Sequence, residues 1–278
     1  MDHKISVLTD EFKEPDFEKV AEYLSSQDFE YVELRGVWIK NVFNLDDMDI
    51  AELKDIFKDT GLKVSSISGG LMKTQWPGPK DEPEDQNVMD DGTPIVEYQL
   101  KMADNCIKIA DELDIKYIRA FGFHKLAIFE DEMWPDWFDA MKQLIKKVKD
   151  AGKTIIIENE AGCIVSDVAS IERTFNELKS DNCRLLFDPG NLLAGGEHVT
   201  PEVFEKVKEL TEYIHVKDWK GKWCIIGEGD VGWKTIAEMF VNDGYDSFWS
   251  VETHMGKENA WDNTVKDLKA LREILSSL

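Results

Sequence analysis

Ile155-Ile156-Ile157-Glu158-Asn159-Glu160 runs from three β-branched residues directly into two carboxylates and an amide. Such a run reads as a buried strand that carries polar groups at its C-terminal end. The ending recurs three times downstream. Leu185-Leu186-Phe187 leads into Asp188-Pro189-Gly190-Asn191, Tyr213-Ile214-His215-Val216 into Lys217-Asp218, and Ser250-Val251-Glu252 into Thr253-His254. Helical patterns separate these runs. They cover residues 168–178, a stretch opened by the cap pair Thr200-Pro201 and continuing to 210, and residues 233–241. Working outward, strands are predicted over 4–9, 31–34, 62–68 and 116–121, with helices over 17–24, 50–58, 94–113 and 137–148. A stripe of Trp261, Val265, Leu268, Leu271 and Leu275 closes the chain. Strict strand–helix alternation implies parallel strands with right-handed crossovers. Eight such units in 278 residues predict an α/β fold, a (β/α)8 TIM barrel forming one domain over residues 1–278. The alternative, an open doubly wound sheet, would usually place a glycine-rich turn after the first strand, and Thr9-Asp10-Glu11-Phe12 is not one.

In a barrel of this kind the reacting groups sit at the C-terminal strand ends. Glu158, Asp188, His215 and Glu252 end four consecutive strands at one height. Strand parity agrees, because an inward Glu158, His215 or Glu252 leaves its neighbours Ile157, Ile214 and Val251 facing the helices. Three carboxylates crowded at a barrel mouth raise one another's pKa and cost stability, and a cation removes that cost. Three oxygens and one imidazole nitrogen suit one divalent ion, Mn, Mg, Co or Zn.

The formal net charge is −23, from 56 acidic and 33 basic residues. That surface repels phosphate backbones and anionic membranes, so neither nucleic acid nor membrane is an expected partner. Self-association is left open. Cys106, Cys163, Cys183 and Cys224 form no CxxC pair and read as thiols of a reducing compartment. The opening residues MDHKISVLTDEF contain no apolar signal core, so a cytoplasmic protein is expected.

The runs Tyr213-Ile-His-Val-Lys-Asp218, Ile226-Gly-Glu-Gly-Asp-Val-Gly-Trp233 and Ser250-Val-Glu-Thr-His254 resemble the xylose-isomerase-like barrel superfamily. Ile157-Glu-Asn159 and Phe187-Asp-Pro-Gly-Asn191 fit the same pattern at the preceding strands. That group holds sugar phosphate isomerases and epimerases, ketose 3-epimerases, inosose-processing enzymes and endonuclease IV. The resemblance implies metal ligation by Glu158, Asp188, His215 and Glu252, with Glu158 and Glu252 also the proton-transferring pair. It implies a sugar isomerase or epimerase that moves a proton through an enediolate on the metal. Loss of a β-hydroxyl from the same enediolate would make it a dehydratase of an inosose or polyol. A metal-containing barrel that binds without turnover is the remaining alternative. Two positions depart from the pattern: Glu160 and Asn191 stand where many such epimerases carry histidine. With only five histidines in the chain, the three-zinc cluster of endonuclease IV is not expected.

Further residues at strand ends are candidates for binding a small sugar or polyol: Glu33, Arg35, Arg119, His124, Glu160, Asn191, Lys217, Asp218 and His254. Trp38, Trp76, Trp219 and Trp223 fall in loops on the same side and could pack on a sugar ring. The segment from Gly69 to Gly92 is long enough for a lid. Lys217, Lys220, Lys222 and Lys257 are matched there by Asp218, Glu228, Asp230 and Glu258, which favours an unphosphorylated substrate.

Overall fold

The computed structural model describes residues 3–76, 89, 92–125 and 129–278. Eight parallel strands form one sheet: β1 (Lys4–Val7), β2 (Tyr31–Leu34), β3 (Lys63–Leu71), β4 (Tyr117–Ala120), β5 (Thr154–Glu158), β6 (Cys183–Phe187), β7 (Thr211–Val216) and β8 (Phe248–Val251). Their order is β1-β8-β7-β6-β5-β4-β3-β2. The last seam, β1 against β2, is joined by a parallel bridge between Leu8 and Glu33 and by a 3.0 Å bond from Thr9 N to Glu33 O. The result is a nearly closed TIM barrel. Around it lie α1 (Phe17–Ser26), α2 (Asp47–Thr60), α3 (Ile95–Glu112), α4 (Trp134–Asp150), α5 (Val168–Leu178), α6 (Pro189–Ala194), α7 (Pro201–Val207), α8 (Trp233–Asn242) and α9 (Ala260–Ser276). Among the described residues no helix is long and apolar enough to cross a membrane.

Three elements differ from the expectation. The helix predicted to reach 210 stops at Val207, where Thr211 donates its hydroxyl to Val207 O (2.8 Å) and turns the chain into β7. Strand β3 continues to Leu71, through Gly69, where a Cβ would lie 2.5 Å from the Phe43 ring. Helix α6 was not expected. Asp188 caps it by accepting from Asn191 N (2.8 Å), and Pro189 supplies its first turn.

Strand parity separates two cores. Ile155, Ile157, Leu185, Phe187, Ile214, Val216, Trp249 and Val251 face the helix layer in the large apolar cluster. Tyr117, Ile156, Leu186 and Tyr213, with Phe248 against them, form a small separate cluster. These inner residues lie two or four positions before Arg119, Glu158, Asp188, His215 and Glu252, so they floor the mouth from below. Ile156 is fully buried in that floor. Ile156→Ala should therefore lower stability by about 2–5 kcal/mol. Urea unfolding of the metal-free protein tests this, and a loss below about 1 kcal/mol would mean that the floor is not tightly packed.

Candidate metal centre

Glu158 is the last residue of β5, and Asp188 and Glu252 follow β6 and β8 directly, while His215 lies in β7. One ligand atom from each can be chosen so that all lie within 4.8 Å of one another. All four residues are buried. His215 Nε2 stands 3.0 Å from both carboxylate oxygens of Glu33. Its Nδ1 lies 3.5 Å from Glu158 Oε1 and 3.6 Å from Glu252 Oε2, without a hydrogen bond. Asp188 Oδ2 is likewise buried without one. His215 Nδ1 is thus a buried ring nitrogen with no hydrogen bond, a state that costs about 1–3 kcal/mol. Facing carboxylate oxygens within one oxygen-and-nitrogen donor set, it fits a divalent cation.

Glu33, expected to bind substrate, is fully buried against the His215 imidazole. Its oxygens accept from Tyr213 OH (3.0 Å) and from the hydroxyls of Ser68 and Ser250. A carboxylate fixed this way accepts a hydrogen bond from the Nε2–H and leaves the Nδ1 lone pair for a metal.

Three cations sit among the carboxylates. Arg119 NH1 donates to Glu158 Oε2 (3.0 Å) and its NH2 to Ser68 O (2.8 Å). Lys217 Nζ donates to Glu252 Oε2 (2.6 Å) and lies 2.9 Å from Asp188 Oδ2, out of line for a hydrogen bond. Arg35 reaches Glu252 Oε1 (2.6 Å), Asp10 Oδ1 (2.7 Å) and Glu11. Burial alone would push the Glu158 carboxyl up, but Arg119 and His215 hold it at about 2. Burial works against Glu252 too, and Lys217 and His215 keep it well below the usual carboxylate range. At Asp188 burial wins over Lys217 and raises the carboxyl to about 6. Burial would lower His215, yet Glu33 and Glu158 hold its imidazole well above its ordinary value.

The other expected residues divide. Asn191 reaches the centre, donating Nδ2 to Glu158 Oε1 and Asn159 O, both at 3.0 Å. Glu160 pairs with Lys73 at 2.8 Å. His254 is half-exposed, with Nδ1 3.9 Å from Glu252 Oε1 and its ring edge-on to Trp223. His124 faces Cys163 Sγ at 3.7 Å. Trp76 is buried against Phe123, and Trp219 packs on Trp223. Asp218 accepts from backbone amides of the following loop. Most of the expected lid, residues 77–88 and 90–91, lies outside the described residues. Sequence reasoning missed Asp10 and Glu11. The strand-end test that found Glu158 would have found them just past β1.

The family model for the xylose isomerase-like TIM barrel matches residues 21–274. The chain belongs to that family. Among its relatives, an inosose dehydratase of Lacticaseibacillus casei is 25% identical over 165 residues, 51% of this chain and 55% of the relative. The match thus spans about half the length of the curated relatives. The IOLI protein with a binding zinc atom superposes with a TM-score of 0.79 at 15% identity, over 99% of this chain and 98% of the other. An L-ribulose 3-epimerase gives a TM-score of 0.77 at 15% identity, over 99% and 95%. At such identities the likeness establishes a common fold for this xylose isomerase-like barrel.

Metal titration should give about one divalent ion per chain, and Glu158→Gln or His215→Ala should weaken binding roughly tenfold or more. Glu33→Gln, through the imidazole alone, should cost about 10–100-fold. A proton on Asp188, whose carboxyl sits at about 6, or on His215 must leave before either can ligate. Affinity should therefore rise with pH through about 6 and go on rising above the ordinary histidine range, with proton release on binding. Calorimetry in buffers of different ionisation enthalpy measures both, and an affinity flat with pH would reject the assignment.

Proposed function

We propose that the chain is a divalent-metal-dependent sugar isomerase or epimerase, moving a proton at a carbon beside the carbonyl of a small sugar or polyol. The observation that carries this reading is the pair Glu158 and Glu252. Both approach His215 Nδ1, at 3.5 and 3.6 Å, from strands three places apart around the ring. Two carboxylates converging from different sides can serve two faces of one bound molecule. When bound by Glu158, Asp188, His215 and Glu252, a divalent cation supplies Lewis-acid polarisation of a carbonyl and its neighbouring hydroxyl. One carboxylate takes the carbon-bound proton. The other returns a proton on the opposite face to give an epimer, or the first delivers it to the adjacent carbon to give an aldose–ketose isomer. Arg119 and Asn191 hold Glu158 in place, and Arg35 and Lys217 hold Glu252. The low pKa values keep both carboxylates ionised at neutral pH, so each can act as the base, and the one that returns a proton on the opposite face first takes it from solvent.

A second reading, dehydration of an inosose-like substrate, has its own support. Curated relatives are inosose dehydratases, and the Lys217 ammonium beside Glu252 could protonate a departing hydroxyl. Ketoses and inososes incubated with metal-loaded protein in D2O test both readings. Proton NMR should show deuterium entering the carbon next to the carbonyl. Glu252→Gln should lower that exchange by more than about a hundredfold, and normal exchange in this variant would remove Glu252 from the acid–base pair. Lys217→Met should spare epimerisation relative to dehydration, where a proton donor is lost. A protein that binds metal but catalyses no exchange with any compound would be a binding barrel.

A further inference from the structure

Asp218 is a buried carboxylate whose hydrogen bonds go to four backbone amides. Its Oδ1 accepts from Trp219 N (2.9 Å) and Val231 N (3.2 Å), and its Oδ2 from Gly227 N (2.8 Å) and Gly229 N (3.1 Å). The residue is 1% exposed. Among the described residues no lysine, arginine or histidine forms an ion pair with it. Gly229 makes this closeness possible, since a Cβ there would lie 2.1 Å from Asp218 Oδ1. Amides converging on one anion form a nest suited to a carboxylate or a phosphate. This nest spans the loop from β7 to the start of α8, a segment that in many barrels binds a phosphate group.

A phosphate ester brings close to two negative charges and needs free amides or free cations. Here the amides are taken, and Arg35, Arg119 and Lys217 each already face a carboxylate. Lys220 lies 4.0 Å from Asp230 in the same loop, while Lys222 and Lys257 are exposed to solvent, so the exclusion rests on the occupied nest. We infer that Asp218 is a specificity-determining residue: it fills an anion nest with the chain's own carboxylate, so unphosphorylated sugars or cyclitols are accepted and their phosphate esters excluded. This rests on the carbohydrate reading above. The occupied nest itself can be tested without turnover.

The experiment is amide NMR on Mg2+-loaded protein titrated with inorganic phosphate, then with fructose and fructose 6-phosphate. In the wild type the amides of Gly227, Gly229 and Val231 should not respond to either phosphate compound. In Asp218→Ala they should shift saturably, with phosphate bound at least about tenfold more tightly than by the wild type and more weakly as salt rises. Should that loop lose its fold, Asp218→Ser keeps one short acceptor, leaves room for the anion and should respond the same way. Wild-type amides that move with fructose 6-phosphate in a salt-dependent manner would overturn the inference. So would a folded variant that ignores phosphate. Phosphate binding in the variants alongside indifference to every sugar would instead remove the carbohydrate reading and leave the occupied nest standing.

Discussion

Glu11, Glu33, Glu158, Asp188 and Glu252 place five carboxylates in one buried region of the barrel mouth. An uncompensated buried charge costs several kcal/mol, so the surrounding groups must answer it. Arg35, Arg119 and Lys217 set three positive charges against these five, in direct contact with Glu11, Glu158, Asp188 and Glu252. Two negative charges are left over. Asp10, the sixth acid in contact, is more than a third exposed and is screened by solvent. The titration directions show how the metal-free protein manages the remainder: His215 is biased toward holding a proton, and Asp188 toward keeping one up to about pH 6. A divalent cation carries the same charge as those two protons. Below about pH 6 its uptake displaces both, and above that, where Asp188 is already ionised, it displaces the proton on His215, which ties metal uptake to proton release.

The same constraint helps to close the barrel. Strands β1 and β2 share a bridge at Leu8 and Glu33, and no longer ladder. Arg35, just past β2, binds Asp10 and Glu11 after β1 and Glu252 after β8. One guanidinium thus fastens three loops across the weakest seam while neutralising a candidate metal ligand. Arginine suits this because its planar fork offers several donors at once and stays charged when buried. Glu33 plays the matching part inside the ring. Its backbone carbonyl bonds Thr9 across the seam, and its carboxylate seats His215.

Alternation of β-branched runs with helical stripes revealed the barrel because each strand is short and shows its period clearly. Parity likewise picked out Glu158, His215 and Glu252, since Ile157, Ile214 and Val251 belong to the outer core. Parity reports the face of a strand but not the height of a residue within a tilted ring. Glu33 shows the difference: it comes at the C-terminal end of its strand as Glu158 does, yet its carboxylate lies against His215 Nε2, on the far side of the imidazole from Glu158 and Glu252. Asp218 shows a second limit. Its partners come from residues 219–231, and only the folded loop reveals that amides surround it. Helix α6 was hidden because Asp188-Pro189-Gly190-Asn191 reads locally as a turn, although Asp188 is its cap and Asn191 points back to Glu158.

Lys217 shows how far the mouth is fixed before any substrate arrives. A lysine has a long flexible stem and gives up rotamer freedom when buried. Its backbone carbonyl accepts from Trp233 Nε1 (2.9 Å). Gly190 lies against it, where a Cβ would come within 2.9 Å of both Lys217 Cγ and its carbonyl oxygen. The Trp223 ring stands 4.8 Å from Nζ. Next along the chain, Asp218 ties the loop that carries Trp223 back onto the end of β7. The ammonium is therefore held against Glu252 and Asp188 by a tryptophan, a glycine and an internal anion acting together. A charge positioned this firmly needs little reorganisation when a neighbouring group gains or loses a proton, which is how a buried cation assists catalysis. The glycine after Asp188-Pro189 and the aspartate after Lys217 thus serve the site through packing around Lys217, though neither is a ligand.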